Sequence, residues 1–196
     1  MKTVRLFVCL GLVALMAAFW GCGRPEMDFG SFAGNVYKNK YLDMTVSLPE
    51  GVSIDTQQKA SASQGAKASE LQTLTLFTAY LYPDNTEVAF NANFMAMAER
   101  IDKTLDVKTG RDYHLHTRKL IEATPIPVTF SPDITPRTLD GKAFDLMQVE
   151  IPLAQVTVKQ DIYAAAVGDY ILVLAASYTN PDEKAALEKM LESVSF

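Results

Sequence analysis

The chain has 196 residues, with 18 Lys plus Arg against 23 Asp plus Glu and a net charge of -5 at pH 7. Hydrophobic residues make up 48% and charged residues 21%, which excludes collagen-like, low-complexity and wholly disordered proteins. The acidic balance argues against nucleic acid as a partner, because binding phosphates requires a basic face.

The N-terminal segment has the composition of an export signal. Lys2 and Arg5 form a short positive region, and residues 6–21 follow without a charge, 14 of them apolar. This run is shorter than the about 20 apolar residues that a membrane-spanning helix needs. A glycine followed by Cys22 resembles a bacterial lipobox, in which cleavage precedes the cysteine and its sulfur carries lipid.

This reading divides the chain into three parts. We predict that residues 1–21 are a lipoprotein signal peptide, residues 22–34 an acylated Cys22 with its tether, and residues 35–196 a single domain. Trp20 is larger than the residue usual in a lipobox, so an uncleaved anchor or an ordinary secretory signal remain alternatives.

The mature chain is expected on a membrane surface. In enteric-type sorting an Asp after the acylated cysteine retains a lipoprotein at the inner membrane, and Gly23 stands there instead. We therefore expect the periplasmic face of the outer membrane. Cys9 leaves with the signal, so the remaining 175 residues have no thiol for a disulfide or a thiolate metal site. We expect no cofactor.

Alternating apolar residues and turn residues predict an antiparallel sheet. Residues 42–48 alternate, and longer strands are predicted over 71–82 and 88–97. Four more are predicted over 135–139, 142–151, 156–167 and 170–178, joined in pairs by the turns Asp140-Gly141 and Gly168-Asp169. The last strand is apolar on both faces, which places it inside the sheet.

Two helices are predicted, one over 99–122 with a break near Gly110 and one after Asn180. Asn180 is the expected N-cap, and Glu183 is expected to bond back to the cap backbone. A single apolar stripe follows on this second helix, formed by Leu187, Met190, Leu191 and Val194. Residues 54–70 have the composition of a mobile surface segment, and the proline-rich residues 125–136 that of an irregular edge.

These elements predict an α+β fold, an α/β/α sandwich around a central antiparallel sheet of about six strands with the C-terminal helix docked on it. Two stretches resemble the PsbP-like (Mog/PsbP) family: Tyr37-x-Asn39-x-Tyr41-Leu42-x-Met44-x-Val46-x-Leu48-Pro49-x-Gly51, and Gly168-Asp169-Tyr170 onward to Leu191-Glu192-Ser193-Val194-Ser195-Phe196. The resemblance implies the same sandwich and a partner-binding or assembly role. It brings no shared catalytic residues.

The residue patterns for metal chemistry are incomplete. His114 and His116 point apart on a helix, so without cysteines they form only part of a zinc site, and we expect solvated side chains near a helix end. Met95 and Met97 share a strand face and could ligate Cu(I), but packing in the core is the expectation.

Catalytic patterns are equally sparse. Asp145, Glu150 and Asp161 lie on predicted strands, and two facing carboxylates could perform acid–base chemistry on a glycoside. The sequence does not show which of them pair, and we predict that the protein is not an enzyme.

Polar and aromatic residues on the long strand pair form the predicted binding surface: Tyr80, Tyr82, Asn91 and Asn93. We expect both tyrosines to share a face with Leu74 and Leu76; packing at the core edge is the alternative. The predicted function is a lipid-anchored module that binds an unknown envelope protein. The alternative is a small-ligand carrier or weak hydrolase with a pocket between sheet and helices.

The acylation site can be tested directly. A Cys22→Ser variant should incorporate no acyl label and should leave the membrane fraction, because the thiol that carries the lipid is gone. Metabolic labelling with a fatty-acid analogue, followed by fractionation, measures both. Unchanged labelling of the variant would contradict the lipobox assignment.

Overall fold

The computed structural model describes residues 26–56, 68–70, 72–101 and 106–196. The predicted signal peptide, Cys22 and most of the polar stretch 54–70 lie outside this part. The strands are β1 (Ser31–Ala33), β2 (Val36–Asn39), β3 (Met44–Ser47), β4 (Ser53–Asp55), β5 (Thr73–Tyr80), β6 (Asn93–Arg100), β7 (Thr129–Phe130), β8 (Thr135–Leu139), β9 (Lys142–Pro152), β10 (Thr157–Val167) and β11 (Tyr170–Tyr178). The helices are α1 (Gly110–Glu122), α2 (Pro181–Glu192) and a short 3-10 turn (Ala68–Glu70).

The described strands form two antiparallel sheets. The larger has eight strands in the order β4-β5-β6-β11-β10-β9, with β7 and β8 both paired to β9. The smaller has the order β1-β2-β3. The predicted α+β class is confirmed, but the main sheet exceeds the expected six strands. The additional strands, β4 and β7, have three and two residues and are too short to show a periodic pattern.

Strand β11 is the centre of the larger sheet. All nine of its residues are buried, and it pairs with β6 on one side and β10 on the other. Its predicted interior position is therefore confirmed. A strand buried on both faces requires a cover on each face, since fully burying one Val, Leu or Ile stabilises the fold by about 1.5–3 kcal/mol.

One face of β11 is covered by α2 and the smaller sheet. Leu172 and Leu174 belong to the same buried cluster as the predicted stripe of α2. The rings of Tyr37 and Phe77 join the two sheets, with their centroids 4.8 Å apart. The docked C-terminal helix is thus confirmed.

The other face is covered by α1. Ala164, Ile171 and Val173 form a separate buried cluster, against which Tyr113 packs. The helix begins at Gly110, where an added Cβ would lie 2.0 Å from the carbonyl oxygen of Ala164. Only a residue without a Cβ permits this approach of helix to strand.

The first helix begins later than predicted. Residues 99–100 end β6 and residues 102–105 lie outside the described residues, so the predicted helix is observed only over 110–122. Thr109 is its N-cap and forms a capping box with Asp112, which stops the helix from extending backwards.

Strand β6 also begins later than predicted, at Asn93 rather than residue 88. The side chain of Asn91 donates to the carbonyl of Tyr82 (2.8 Å) and accepts from its N–H (3.1 Å). The amide side chain thereby takes the place of a backbone partner in the ladder, so regular pairing starts only after it.

Part of the predicted tether is folded. Within residues 22–34, the described portion from residue 26 onward includes β1, which pairs with β2. Met27 is buried, and Phe29 and Phe32 pack against the same core. The packed domain therefore extends at least eight residues before the predicted boundary at residue 35.

A Gly110→Ala variant tests the docking of α1. Helix propensity alone would stabilise the alanine variant by up to about 1 kcal/mol. The clash with Ala164 should instead lower the free energy of unfolding by about 1–3 kcal/mol, the usual cost of overpacking. Urea denaturation measures the sign, with the exposed Lys119→Ala as a control expected to stay within about 0.5 kcal/mol. A stabilised Gly110→Ala variant would contradict the packing.

Candidate functional site

A groove opens where β9 and β11 end and β10 begins, beside β7 and the start of α2. It has a volume of about 590 Å³ and is lined by residues 129–131, 148–150, 159–161 and 178–181, with Lys184. This volume is within the range of about 300–1,000 Å³ typical of ligand sites. We call it the sheet-end groove.

A buried carboxylate fixes the geometry of the sheet-end groove. Asp161 is 4% exposed and accepts a hydrogen bond from the side-chain amide of Gln148 at 2.7 Å. The hydroxyl of Tyr178 donates to it at 3.3 Å, and the ammonium of Lys184 lies 3.4 Å away. A buried carboxylate requires such partners, because an unpaired charge away from water is strongly destabilising.

The pKa values of two groups around Asp161 reflect this environment. Burial, and then the charge of Asp161, raise the pKa of Tyr178. Burial, the largest single influence, would lower the pKa of Lys184, but the charge and hydrogen bond of Asp161, together with Tyr178 and Glu188, outweigh it and raise that pKa. Tyr178 is therefore neutral and Lys184 charged at neutral pH, in the forms that donate to the carboxylate.

A second ion pair lies on the open side of the groove. Lys159 is 3.3 Å from Glu150, which it faces across the β9–β10 ladder. Both side chains are half-exposed, so the pair contributes little to stability and is available to a ligand. With Asp161 and Lys184, the groove contains two acidic and two basic side chains, and their charges cancel.

Two of the three carboxylates singled out in the sequence meet in this groove. Glu150 and Asp161 are diagonal neighbours on one sheet face, since Glu150 is opposite Lys159 and Asp161 opposite Gln148. The Cα atoms of diagonal neighbours of this kind are roughly 7–8 Å apart. Asp145 lies on the other face, beneath α1.

A β-bulge separates the predicted binding surface from the leucines that were expected to share its face. A register shift between Thr75 and Phe77 puts both Leu76 and Phe77 into the core. The expectation that Tyr80 shares a face with Leu74 and Leu76 is therefore wrong, because side-chain alternation reverses at the bulge. Tyr80 instead lies directly opposite Asn93 on the other face.

Tyr82 and Asn91 have structural contacts of their own. The hydroxyl of Tyr82 donates to Glu183 at 3.2 Å, and Glu183 also accepts from the N–H of Thr179 at 2.7 Å. Asn180 caps α2 as predicted, but Glu183 reaches the residue before the cap instead of the cap N–H itself. Asn91 bonds the backbone of Tyr82, and the side-chain amide of Asn93 donates to the carbonyl of Asn91 at 2.9 Å. The role of Tyr80, Tyr82, Asn91 and Asn93 as a binding surface stays a prediction.

His114 is fully buried, contrary to the expected solvated side chain. It lies in the middle of α1, where its Nε2 is 2.9 Å from the carbonyl oxygen of Asp145. Its Nδ1 has no hydrogen-bond partner among the described residues. Burial lowers its pKa. His116 is half-buried, and Met95 and Met97 share a half-buried sheet face.

The sequence analysis did not single out four polar residues of the groove that the structure brings together: Gln148, Lys159, Tyr178 and Lys184. Their importance follows from cross-strand register and from the position of α2, and no local pattern reveals either. Across residues 26–56, 68–70, 72–101 and 106–196, no cluster of three or more His, Cys, Asp or Glu side chains could hold a metal ion. No helix in these ranges has the length and apolar character that crossing a membrane requires.

Comparisons with known proteins do not assign a family. No protein-family model matches the chain, and no curated protein matches it. Among solved structures it is similar to LpqN of Mycobacterium tuberculosis, described as involved in cell envelope biogenesis, with 13% identity over 78% of this chain and 82% of that one and a TM-score of 0.49. It is also similar to PA94 of Pseudomonas aeruginosa, a protein of unknown function, with 11% identity over 86% and 96% and a TM-score of 0.43. The PsbP-like resemblance stays a prediction.

The burial of His114 predicts an acid-sensitive fold. Because its folded-state pKa is below the unfolded value of about 6.5, the unfolded chain binds a proton first as the pH falls. Stability should thus be complete above about pH 6.5 and decline below it, by at most about 1.4 kcal/mol per pH unit from this group.

A His114→Gln variant, which can still donate to the carbonyl of Asp145, should lose this part of the decline. Urea unfolding at pH 7.5 and 5.5 measures it. His116→Gln is the matched control and should keep the wild-type pH dependence. An identical pH dependence in wild type and His114→Gln would refute the assignment.

Proposed function

We propose that this chain is a lipid-anchored envelope protein that acts as a non-catalytic binding module, with the sheet-end groove as its binding site. The observation that carries the proposal is a groove of ligand-site volume built around one buried, multiply hydrogen-bonded carboxylate, Asp161. Preorganised polar groups of this kind bind without reordering, which favours specificity. The periplasmic face of the outer membrane is the proposed location, on the sequence around Cys22.

The groove combines residues that are fixed by hydrogen bonds with residues that are free to contact a partner, and this combination supports binding. At the buried side of the groove, Asp161 accepts hydrogen bonds from Gln148 and Tyr178 and pairs with Lys184, which fixes the positions of all three side chains. Lys159 and Glu150 lie half-exposed on the open side, where a partner can replace one member of their ion pair. The buried side of the groove is therefore held in one conformation, whereas the side chains on its open side can change their contacts when a partner binds.

A second candidate function is glycoside hydrolysis, favoured by one observation. Glu150 and Asp161 share one face of the groove as diagonal neighbours, and the two carboxylates of inverting glycosidases are about 6.5–9.5 Å apart. Each carboxylate here already has a lysine beside it, at 3.3 and 3.4 Å. Binding therefore remains the preferred function.

A charge reversal at the rim tests the binding function. Lys159→Glu places two like charges directly opposite each other, since its neighbour is Glu150. We expect partner recovery by chemical crosslinking and affinity capture from the native envelope to fall about tenfold, equivalent to about 1.4 kcal/mol. Lys38→Glu, the same change at an exposed position on the smaller sheet, is the control and should leave recovery unchanged.

Equal recovery from both variants would remove the groove from the binding function. Turnover of a neutral fluorogenic glycoside by the wild type, abolished in Glu150→Gln, would establish the second candidate in its place. Far-UV circular dichroism and urea unfolding of each variant separate loss of binding from loss of fold.

A further inference from the structure

The chain enters the fold at one end of the larger sheet. We call this the Tyr170 end, because Tyr170 and Arg100 are paired there. The backbone N–H of Arg100 donates to the carbonyl of Gln72, and the side-chain amide of Gln72 donates to the carbonyl of Arg100, both at 2.7 Å. Ser69, three residues before Gln72, donates its hydroxyl to the carboxylate of Glu26 at 2.5 Å.

A second set of contacts fixes the same entry point. The side chain of Asn39 donates to the backbone carbonyl of Asp28 at 2.9 Å. Two residues later, the ring of Tyr41 lies edge-on to that of Tyr170, with centroids 5.5 Å apart. The first described residues are therefore held at the Tyr170 end by both sheets.

The sheet-end groove is at the opposite end, where Tyr178 pairs with Lys159. The nine residues of β11 run from one end to the other. At about 3.3 Å per residue, eight steps separate the two ends by about 26 Å.

The attachment point of the lipid is close to the Tyr170 end. Three residues lie between Cys22 and Glu26, and the four Cα-to-Cα steps of a fully extended chain span at most about 14 Å. An acylated Cys22 would therefore keep the Tyr170 end near the bilayer surface, whereas the groove would be about 26 Å further along the sheet.

We infer that acylation holds the Tyr170 end against the membrane and presents the sheet-end groove to a polypeptide segment outside that membrane. This inference rests on the proposed anchor and binding function and adds the orientation and the class of partner.

The lining of the groove favours a polypeptide. Ten of its fourteen residues are polar or charged, but most of the surface that they expose in the groove is apolar. Protein–protein interfaces combine the two in the same way, with a mostly non-polar area and a polar rim. Because the four charges cancel in pairs, the segment that fits is polar with little net charge.

The orientation can be measured on the full acylated chain. Donor fluorophores are placed on Asp169→Cys, in the turn at the Tyr170 end, and on Gln155→Cys, in the β9–β10 loop at the groove end; both positions are exposed. The protein is reconstituted in vesicles of phosphatidylethanolamine and phosphatidylglycerol that carry an acceptor-labelled lipid. We expect energy transfer from position 169 to be severalfold more efficient than from position 155.

Equal transfer, or stronger transfer from position 155, would overturn the orientation. Failure of both proteins to float with the vesicles would instead reject the anchor itself, so the two failures are distinguishable. Cys22→Ser with either donor provides the unanchored baseline.

The class of partner is tested by a photo-crosslinking amino acid in the native envelope, placed at the groove residue Thr129 or at Lys38 on the smaller sheet. We expect Thr129 to crosslink reproducibly to one peptide of one protein, and the yield to fall about tenfold when Lys159→Glu is added. An adduct with lipid or glycan, no adduct, or the same peptide from Lys38 would overturn the inference.

Discussion

The structure depends on the burial of β11 on both faces. A strand without a polar face can be stable only if each side of the sheet is covered, and the rest of the chain supplies the two covers. The smaller sheet and α2 bury Leu172 and Leu174, while α1 buries Ile171 and Val173. The positions of both helices, and through α2 the position of the groove, follow from this requirement.

The two covers differ in how they are fixed. The side formed by α2 is mainly apolar, with a continuous stripe on the helix and aromatic contacts such as Tyr37 with Phe77. The side formed by α1 relies on close approach at Gly110 and on a buried polar contact at His114. An imidazole with a lowered pKa makes this second cover the acid-sensitive part of the fold.

Local chemistry made some of the structure predictable from sequence. Asp140 and Gly141 adopt positive φ in the predicted hairpin turn, and Asn180 caps α2 because its side-chain oxygen accepts from two free helical N–H groups. The start of β6 was missed because the side chain of Asn91 substitutes for backbone pairing. The bulge before Phe77 has no local signal, and it reverses the face assigned to Tyr80.

The candidate site was less predictable than the fold. Glu150 and Asp161 were recognised as carboxylates on strands, but only the register of β9 with β10 brings them together. Gln148, on the same strand as Glu150, and Lys184, on a helix that follows in the chain, complete the site. Contacts between residues this distant in sequence leave no periodic pattern to detect.

The central claim is that the sheet-end groove is where this protein engages its partner in the envelope. Hydrogen–deuterium exchange of the acylated protein, compared between native envelope membranes and detergent solution, tests this claim most directly. The account predicts slower amide exchange over residues 129–131, 148–150, 159–161 and 178–184 in the membranes. Slower exchange confined to β5 and β6, with the groove unchanged, would contradict it.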